Sequence, residues 1–320
     1  MTAEAHIDRE GAGPDVDFYV QATRDAGMGH LSRAGSVAKQ LASAGLSCLM
    51  FLDADECGSR FARTHGFPVS AEFRATAEIV VIDALDVSDA MAEVLAGYQT
   101  RVLISPSFYR ANLATHVLIR EAPRALLDSL EPGTHLEIDP RFAFATAQGA
   151  RMIEGQFERL RVGLCLSGGR GTLEGPLLRC LLREDEVEQV TTIADIDVSE
   201  AEPYGARLRH TNFAIDPWAF LAGTNVFVAG DGVMVSEAVA RAIPTFSVTS
   251  RERLHKNAAL VEAGVIEPIL VEELDCADVR ERVVDRSRLT GLHQASRQYF
   301  HPSMCHALAD SIRRIREDHG

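Results

Sequence analysis

Hydrophobic positions along the chain gather into short continuous runs, and the intervals between the runs carry helical periodicity. Phe18-Tyr19-Val20 reads as a first strand, Gly27 to His30 as a turn, and Leu31 to Ala44 as a helix that stops at Gly45. Ser47 to Leu52 is a second apolar strand. A helical stretch then runs to His65, and a third strand occupies Glu78 to Ile82, closed by Asp83. A helix at Asp89 to Ala96 and strands at Arg101 to Ile104 and His116 to Ile119 continue the series. Strands that are apolar on both faces and alternate with helices predict a parallel sheet covered on both sides.

The pattern lapses between Pro140 and Arg161 and then restarts. Val162 to Leu166 reads as a strand, Ser167-Gly168-Gly169-Arg170-Gly171-Thr172 as a glycine loop, and Leu173 to Arg183 as a helix. Strands are expected at Gln189 to Ile193, Asn225 to Ala229, Thr245 to Val248 and Ile269 to Val271, with a closing helix at Ser303 to Arg316. The predicted fold class is therefore α/β, with two tandem Rossmann-like domains over residues 1–150 and 151–320. The last helix is placed back against the first domain. Ligands of open parallel sheets bind outside the carboxyl ends of the strands, so both glycine loops are expected on one interdomain cleft.

Composition narrows the function classes. Of the 320 residues, 46% are hydrophobic and 24% charged, the balance of a soluble globular chain. Acidic residues outnumber basic ones 46 to 32, for a formal net charge of −14, and no basic run is segregated, so no nucleic-acid partner is expected. No apolar run approaches the roughly 18 residues of a membrane span, and the first residues have no apolar core of an export signal. The expectation is a cytoplasmic protein with no membrane span. The six cysteines are scattered without a C-x-x-C pair, which suits reduced, mostly buried thiols. Lys39 and Lys256 are the only lysines, so cationic work is expected to fall to arginine.

Gly27-Met28-Gly29-His30-Leu31-Ser32-Arg33 combines a tight turn, room for close ligand approach and a helix start that favours anions. Ser32 stands where a dinucleotide fingerprint has its third glycine, which argues against NAD. His30 reads either as a neutral general base or as a helix-start histidine bonded to its own loop. A second such unit is Gly230-Asp231-Gly232-Val233-Met234-Val235-Ser236-Glu237. There the backbone N–H groups of Gly232, Val233 and Met234 suit a diphosphate. Glu237 reads as an acceptor for ribose hydroxyls or as a solvated first-turn glutamate. Asn257 either closes over a ligand or caps a helix. The pairs Asp53/Asp55 and Asp195/Asp197 spell D-x-D, which the strand-end positions favour as element caps over a divalent-metal site. His301, Cys305 and His306 lack a fourth zinc ligand. No metal and no cofactor are expected.

Taken together these motifs resemble the GT-B nucleotide-sugar enzymes, and within them the UDP-sugar hydrolase family of pseudaminic acid biosynthesis. Gly27, Gly29, His30 and Arg33 match that family's G-x-G-H-x-x-R turn and helix. Cys165 to Gly169 match its strand and Gly-Gly loop, and Gly230, Gly232, Glu237, Ala242 and Pro244 its late unit, which continues into Asn257 and Gly264. The resemblance implies that His30 is the catalytic base for water at the anomeric carbon. It further implies that Gly27, Gly29, Arg33, Gly168, Gly169, Gly232, Val233, Met234, Glu237 and Asn257 bind the substrate, a nucleoside-diphosphate sugar with UDP as its nucleotide. Two alternatives stand beside hydrolysis: a glycosyltransferase of the same fold with a small-molecule acceptor, and a non-catalytic nucleotide-binding protein.

Overall fold

A computed structural model describes residues 13–23, 27–67, 69–70, 73, 76–105, 108–166, 173–193, 202–210 and 217–319. The first sheet holds β1 (Val16–Ala22), β2 (Cys48–Ala54), β3 (Val69–Ser70), β4 (Ile79–Asp83), β5 (Thr100–Leu103), β6 (His116–Ile119) and β7 (His135–Ile138). Its order is β3-β2-β1-β4-β5-β6-β7. The second sheet holds β8 (Leu160–Cys165), β9 (Val187–Thr192), β10 (Leu208–His210), β11 (Val226–Ala229), β12 (Thr245–Thr249) and β13 (Ile266–Leu270), in the order β10-β9-β8-β11-β12-β13. Every strand pairing in both sheets is parallel.

The strand order places the site. β1 lies between β2 and β4, and β8 between β9 and β11, so the chain reverses its winding direction beside the first strand of each sheet. A crevice opens at the carboxyl ends of the strands at such a switch point. The Gly27 turn follows β1, Asp83 ends β4, and the Gly230–Gly232 loop follows β11.

Each sheet buries both faces. In the first, β1 and β4 send Phe18, Val20, Ile79 and Val81 toward the helix Gly29–Ser43, which answers with Leu31, Ala34, Val37, Ala38 and Leu41. These positions recur at the spacing of one helical face. Tyr19, Val80 and Ile82 pack on the opposite side with Leu95 and Tyr98. The terminal helix Ala307–His319 lies on the first sheet's helical layer: Leu308, Ala309, Ile312 and Ile315 join its core, and Arg316 pairs with Asp15 at 3.0 Å. In the connecting turn Pro140–Phe144, Phe142 enters the first core and Phe144 the second, so neighbouring turns of one short segment anchor both sheets.

Several details depart from the pattern reading. The edge strands β3, β7 and β10 were not expected. Two- and three-residue strands leave no run to detect, and His135-Leu136-Glu137-Ile138 is a polar-apolar alternation at an exposed edge. The strand expected at Ile269–Val271 begins three residues earlier, because Pro268 is tolerated in β13 at the edge of the sheet. None of the six cysteines is joined in a disulfide, and only Cys165 and Cys305 are buried, which corrects the expectation of mostly buried cysteines. Among the described residues no helix is long and apolar enough to cross a membrane.

Candidate functional site

Gly27 has φ 85°, a left-handed conformation that an L side chain strains to adopt, and it lets the chain turn from β1 into the helix Gly29–Ser43. That helix has no side-chain cap at its start and no acidic residue in its first turn. Across the crevice, the helix Val233–Ala240 likewise begins at Gly232 without a side-chain cap. The two starts meet: a Cβ on Gly29 would lie 3.3 Å from Cγ2 of Val233. Two uncapped helix N-termini, each with unsatisfied N–H groups and a positive dipole end, therefore converge from opposite sheets.

His30, in the first turn, places Nδ1 2.6 Å from Oδ1 of Asp83, whose side chain is fully buried. Arg33, one turn along, donates from Nε to Asp83 Oδ2 at 2.9 Å and from Nη2 to Oδ1 at 2.5 Å. Burial alone would push the Asp83 carboxyl up. The guanidinium charge of Arg33, the ring N–H of His30 and the hydrogen bonds that both donate outweigh it and hold the group below the ordinary carboxylate range. An ionised Asp83 accepts only, so Nδ1 of His30 carries the proton and Nε2, on the far side of the ring, keeps its lone pair. This is the arrangement of a base oriented by a buried carboxylate.

The depressed Asp83 couples the site to acid stability. A carboxyl whose pKa falls on folding contributes stability that is complete above its unfolded value of about 4 and is lost as pH drops through the folded value. Thermal unfolding followed from pH 6 to pH 3 should show a steeper acid loss in the wild type than in Asp83→Asn. Equal losses would contradict the assignment.

The structure distributes the other expected residues as follows. Gly27, Gly29, His30 and Arg33 stand on one side of the crevice, and Gly232, Val233 and Met234 on the other. Arg33 commits its guanidinium to Asp83 and so acts through the dyad. Glu237 is 1% exposed, which overturns the solvated alternative for it. Asn257 precedes the helix Ala258–Glu262 without capping it, and its Nδ2 donates to Ser247 Oγ at 3.3 Å. Gly168 and Gly169 lie outside the described residues, as do Asp195 and Asp197. Of the other D-x-D pair, Asp55 caps the helix Glu56–Thr64 by accepting the Gly58 N–H at 2.9 Å, and Asp53 accepts from Tyr19 at 3.4 Å. His301 caps its own turn through Ser303. Among the described residues no group of three potential ligands could hold a metal ion.

Asp83 was missed as a functional residue. The available signal was an aspartate ending the strand that adjoins β1, where a side chain reaches the crevice. The sequence separation of 53 residues from His30 hid the pairing. Glu174 was also missed: it is buried, and its Oε1 accepts the Leu166 N–H at 2.5 Å, tying the end of β8 to the following helix.

No protein-family model matches the chain, and no curated protein matches it. Solved structures do. MnaA of S. aureus, solved with UDP, superposes with a TM-score of 0.66 at 11% identity, over 94% of this chain and 96% of that one. Alr3699/HepE of Anabaena in complex with UDP-glucose gives a TM-score of 0.62 at 13% identity, over 94% and 100%. The glycosyltransferase SnogD of Streptomyces nogalater gives 0.61 at 12% identity, over 95% and 100%. The fold is GT-B. In this GT-B chain the crevice between the sheets is the place where the His30–Asp83 dyad and the uncapped Gly232 helix start face each other.

Proposed function

We propose that the protein transfers a glycosyl group from a nucleoside-diphosphate sugar, with UDP as the nucleotide, to a hydroxyl acceptor. The observation that carries the reading is the meeting of a carboxylate-oriented histidine with an uncapped helix start across the switch-point crevice. Residues 1–150 then supply the base and acceptor side, and residues 151–320 the nucleotide side. In the step proposed, Nε2 of His30 takes the proton of the acceptor hydroxyl as its oxygen bonds to the anomeric carbon. The bond from that carbon to the diphosphate breaks, and its electron pair leaves with the phosphate. The positive imidazolium is stabilised by Asp83, and the leaving group by the N–H groups of Val233 and Met234. Nothing in the scheme calls for a cofactor. Cysteines outside any disulfide fit a reducing compartment such as the cytoplasm.

Support comes also from the neighbours, one named a glycosyltransferase and two solved with UDP or UDP-glucose. Water as the acceptor, giving hydrolysis, is the second reading, favoured by the G-x-G-H-x-x-R match at Gly27 to Arg33. A purely ligand-binding role gives the His30–Asp83 pairing no work to do.

The test is thermal stability against nucleotides. At 100 times its dissociation constant, UDP should stabilise the fold by about 2.7 kcal/mol. His30→Ala should show the same shift, because the base lies on the sugar side. The absence of a shift with UDP or any other nucleoside diphosphate would overturn the nucleotide site.

A further inference from the structure

Cys180 stands in the last turn of the helix Glu174–Leu181, and Cys276 opens the helix Cys276–Val284. The two helices pack together: Leu177, Leu178 and Leu181 of the first share a core with Val279 and Val283 of the second. Beside that contact Cys180 Sγ donates to the backbone carbonyl of Cys276 at 2.9 Å, and the two thiols lie within electrostatic reach of one another. Both cysteines are partly exposed, unlike Cys165 and Cys305. The pair lies on the face of the second sheet opposite the helix Val233–Ala240, away from the crevice.

Disulfides join Cα atoms about 4.4–6.8 Å apart. A sulfur touching its partner's carbonyl oxygen, two bonds from the partner's Cα, is within that reach once the side chains turn about χ1. The surroundings set the order of reaction. Burial first, then the neighbouring Cys276 and Glu184, push the Cys180 thiol up against the opposing charges of Arg280 and Arg183. Cys180 is therefore protonated at neutral pH, and the first attack on an oxidant falls to Cys276. Arg280, one turn along from Cys276 and paired with Glu184 at 3.4 Å, stands ready as counter-charge when the Cys180 thiolate forms.

We infer that Cys180 and Cys276 form a redox clip: an intramolecular disulfide, made by exchange with glutathione disulfide, that locks the two helices together and stabilises the second domain. The Cys276 thiolate attacks one sulfur of glutathione disulfide, expelling one glutathione thiolate and leaving a mixed disulfide. Cys180 then loses its proton to solvent and attacks the Cys276 sulfur, expelling the second glutathione. Together the protein thiols give up two electrons and two protons, and one glutathione disulfide becomes two glutathiones. The joined residues are 96 apart in sequence, and closing so long a loop restricts the unfolded chain more than the folded one. A chain without disulfides thus gains one when the surrounding thiol pool turns oxidising. The helix it fixes also carries Glu174, which holds the Leu166 N–H at the end of β8.

The test exposes the full chain to mixtures of glutathione and glutathione disulfide, followed by alkylation, peptide mass mapping and thermal unfolding. The wild type should lose the mass of two hydrogens and yield one linked pair of peptides, Cys180 with Cys276. Its unfolding temperature should rise by about 5–15 °C, the effect of a disulfide closing a long loop in a domain of this size, and dithiothreitol should reverse the rise. Cys180→Ser removes the resolving thiol, so glutathione should stay on Cys276, whereas Cys276→Ser should leave Cys180 unmodified. The buried Cys165 and Cys305 are controls that should resist alkylation in the folded protein. A link between other cysteines, glutathione that stays on the wild-type pair, or a linked form that melts with the reduced one overturns the clip. So does a pair that stays reduced in an excess of glutathione disulfide.

Discussion

Replacing His30 by alanine should lower turnover by about a hundredfold to ten-thousandfold, the range for loss of a positioned general base, with nucleotide affinity little changed. Asp83→Asn should approach the same loss by a different route. In the wild type, Asp83 Oδ1 receives both His30 and Arg33, and Oδ2 receives Arg33 again. An asparagine must present its N–H₂ to one of these donor sets. Facing His30, it drives the imidazole to the other tautomer, which puts the proton on Nε2 and removes the base. Facing Arg33, it sets donor against donor in a fully buried site. Steady-state kinetics on both variants should show the loss in kcat rather than in KM for the donor. A His30→Ala enzyme keeping more than about a tenth of wild-type kcat would fall outside the range for a lost base and contradict the assignment.

The second large effect is structural. Gly58 lies in the first turn of the helix Glu56–Thr64, and a Cβ there would stand 1.8 Å from the carbonyl oxygen of Ala22. That oxygen belongs to backbone at the end of β1, so the clash is not relieved by a side-chain rotation. Gly58→Ala must push the helix off the strand, and the expected cost is about 3 kcal/mol or more, the upper range for overpacking. Because β1 leads into the Gly27 turn, activity should fall with stability. Urea unfolding provides the check. A change within about 0.5 kcal/mol, as at an ordinary surface site, would show that the close approach is not made in solution.

Much of this was legible in the chain. Buried parallel strands read as continuous apolar runs, so Phe18 to Val20, Glu78 to Ile82 and Asn225 to Ala229 could be placed, and the glycine turns after β1 and β11 follow from them. His30 was legible because it opens a helix directly behind a turn. Asp83 was visible only as a strand end, since its role depends on β4 lying beside β1, a pairing across 63 residues of chain that no local pattern encodes. For Glu237 the chain left two readings open, a ribose acceptor and a solvated glutamate, because position in a helix does not say which way the side chain faces; burial removes the second.

The most direct measurement is release of nucleoside diphosphate from a panel of UDP-sugars, with and without hydroxyl acceptors, by the wild type and His30→Ala. The wild type should free UDP from at least one donor, with the sugar recovered on an acceptor or, for hydrolysis, in water, and His30→Ala should bind UDP but free almost none. A wild type that binds UDP yet releases it from no donor with any acceptor would contradict a glycosyl-transferring function.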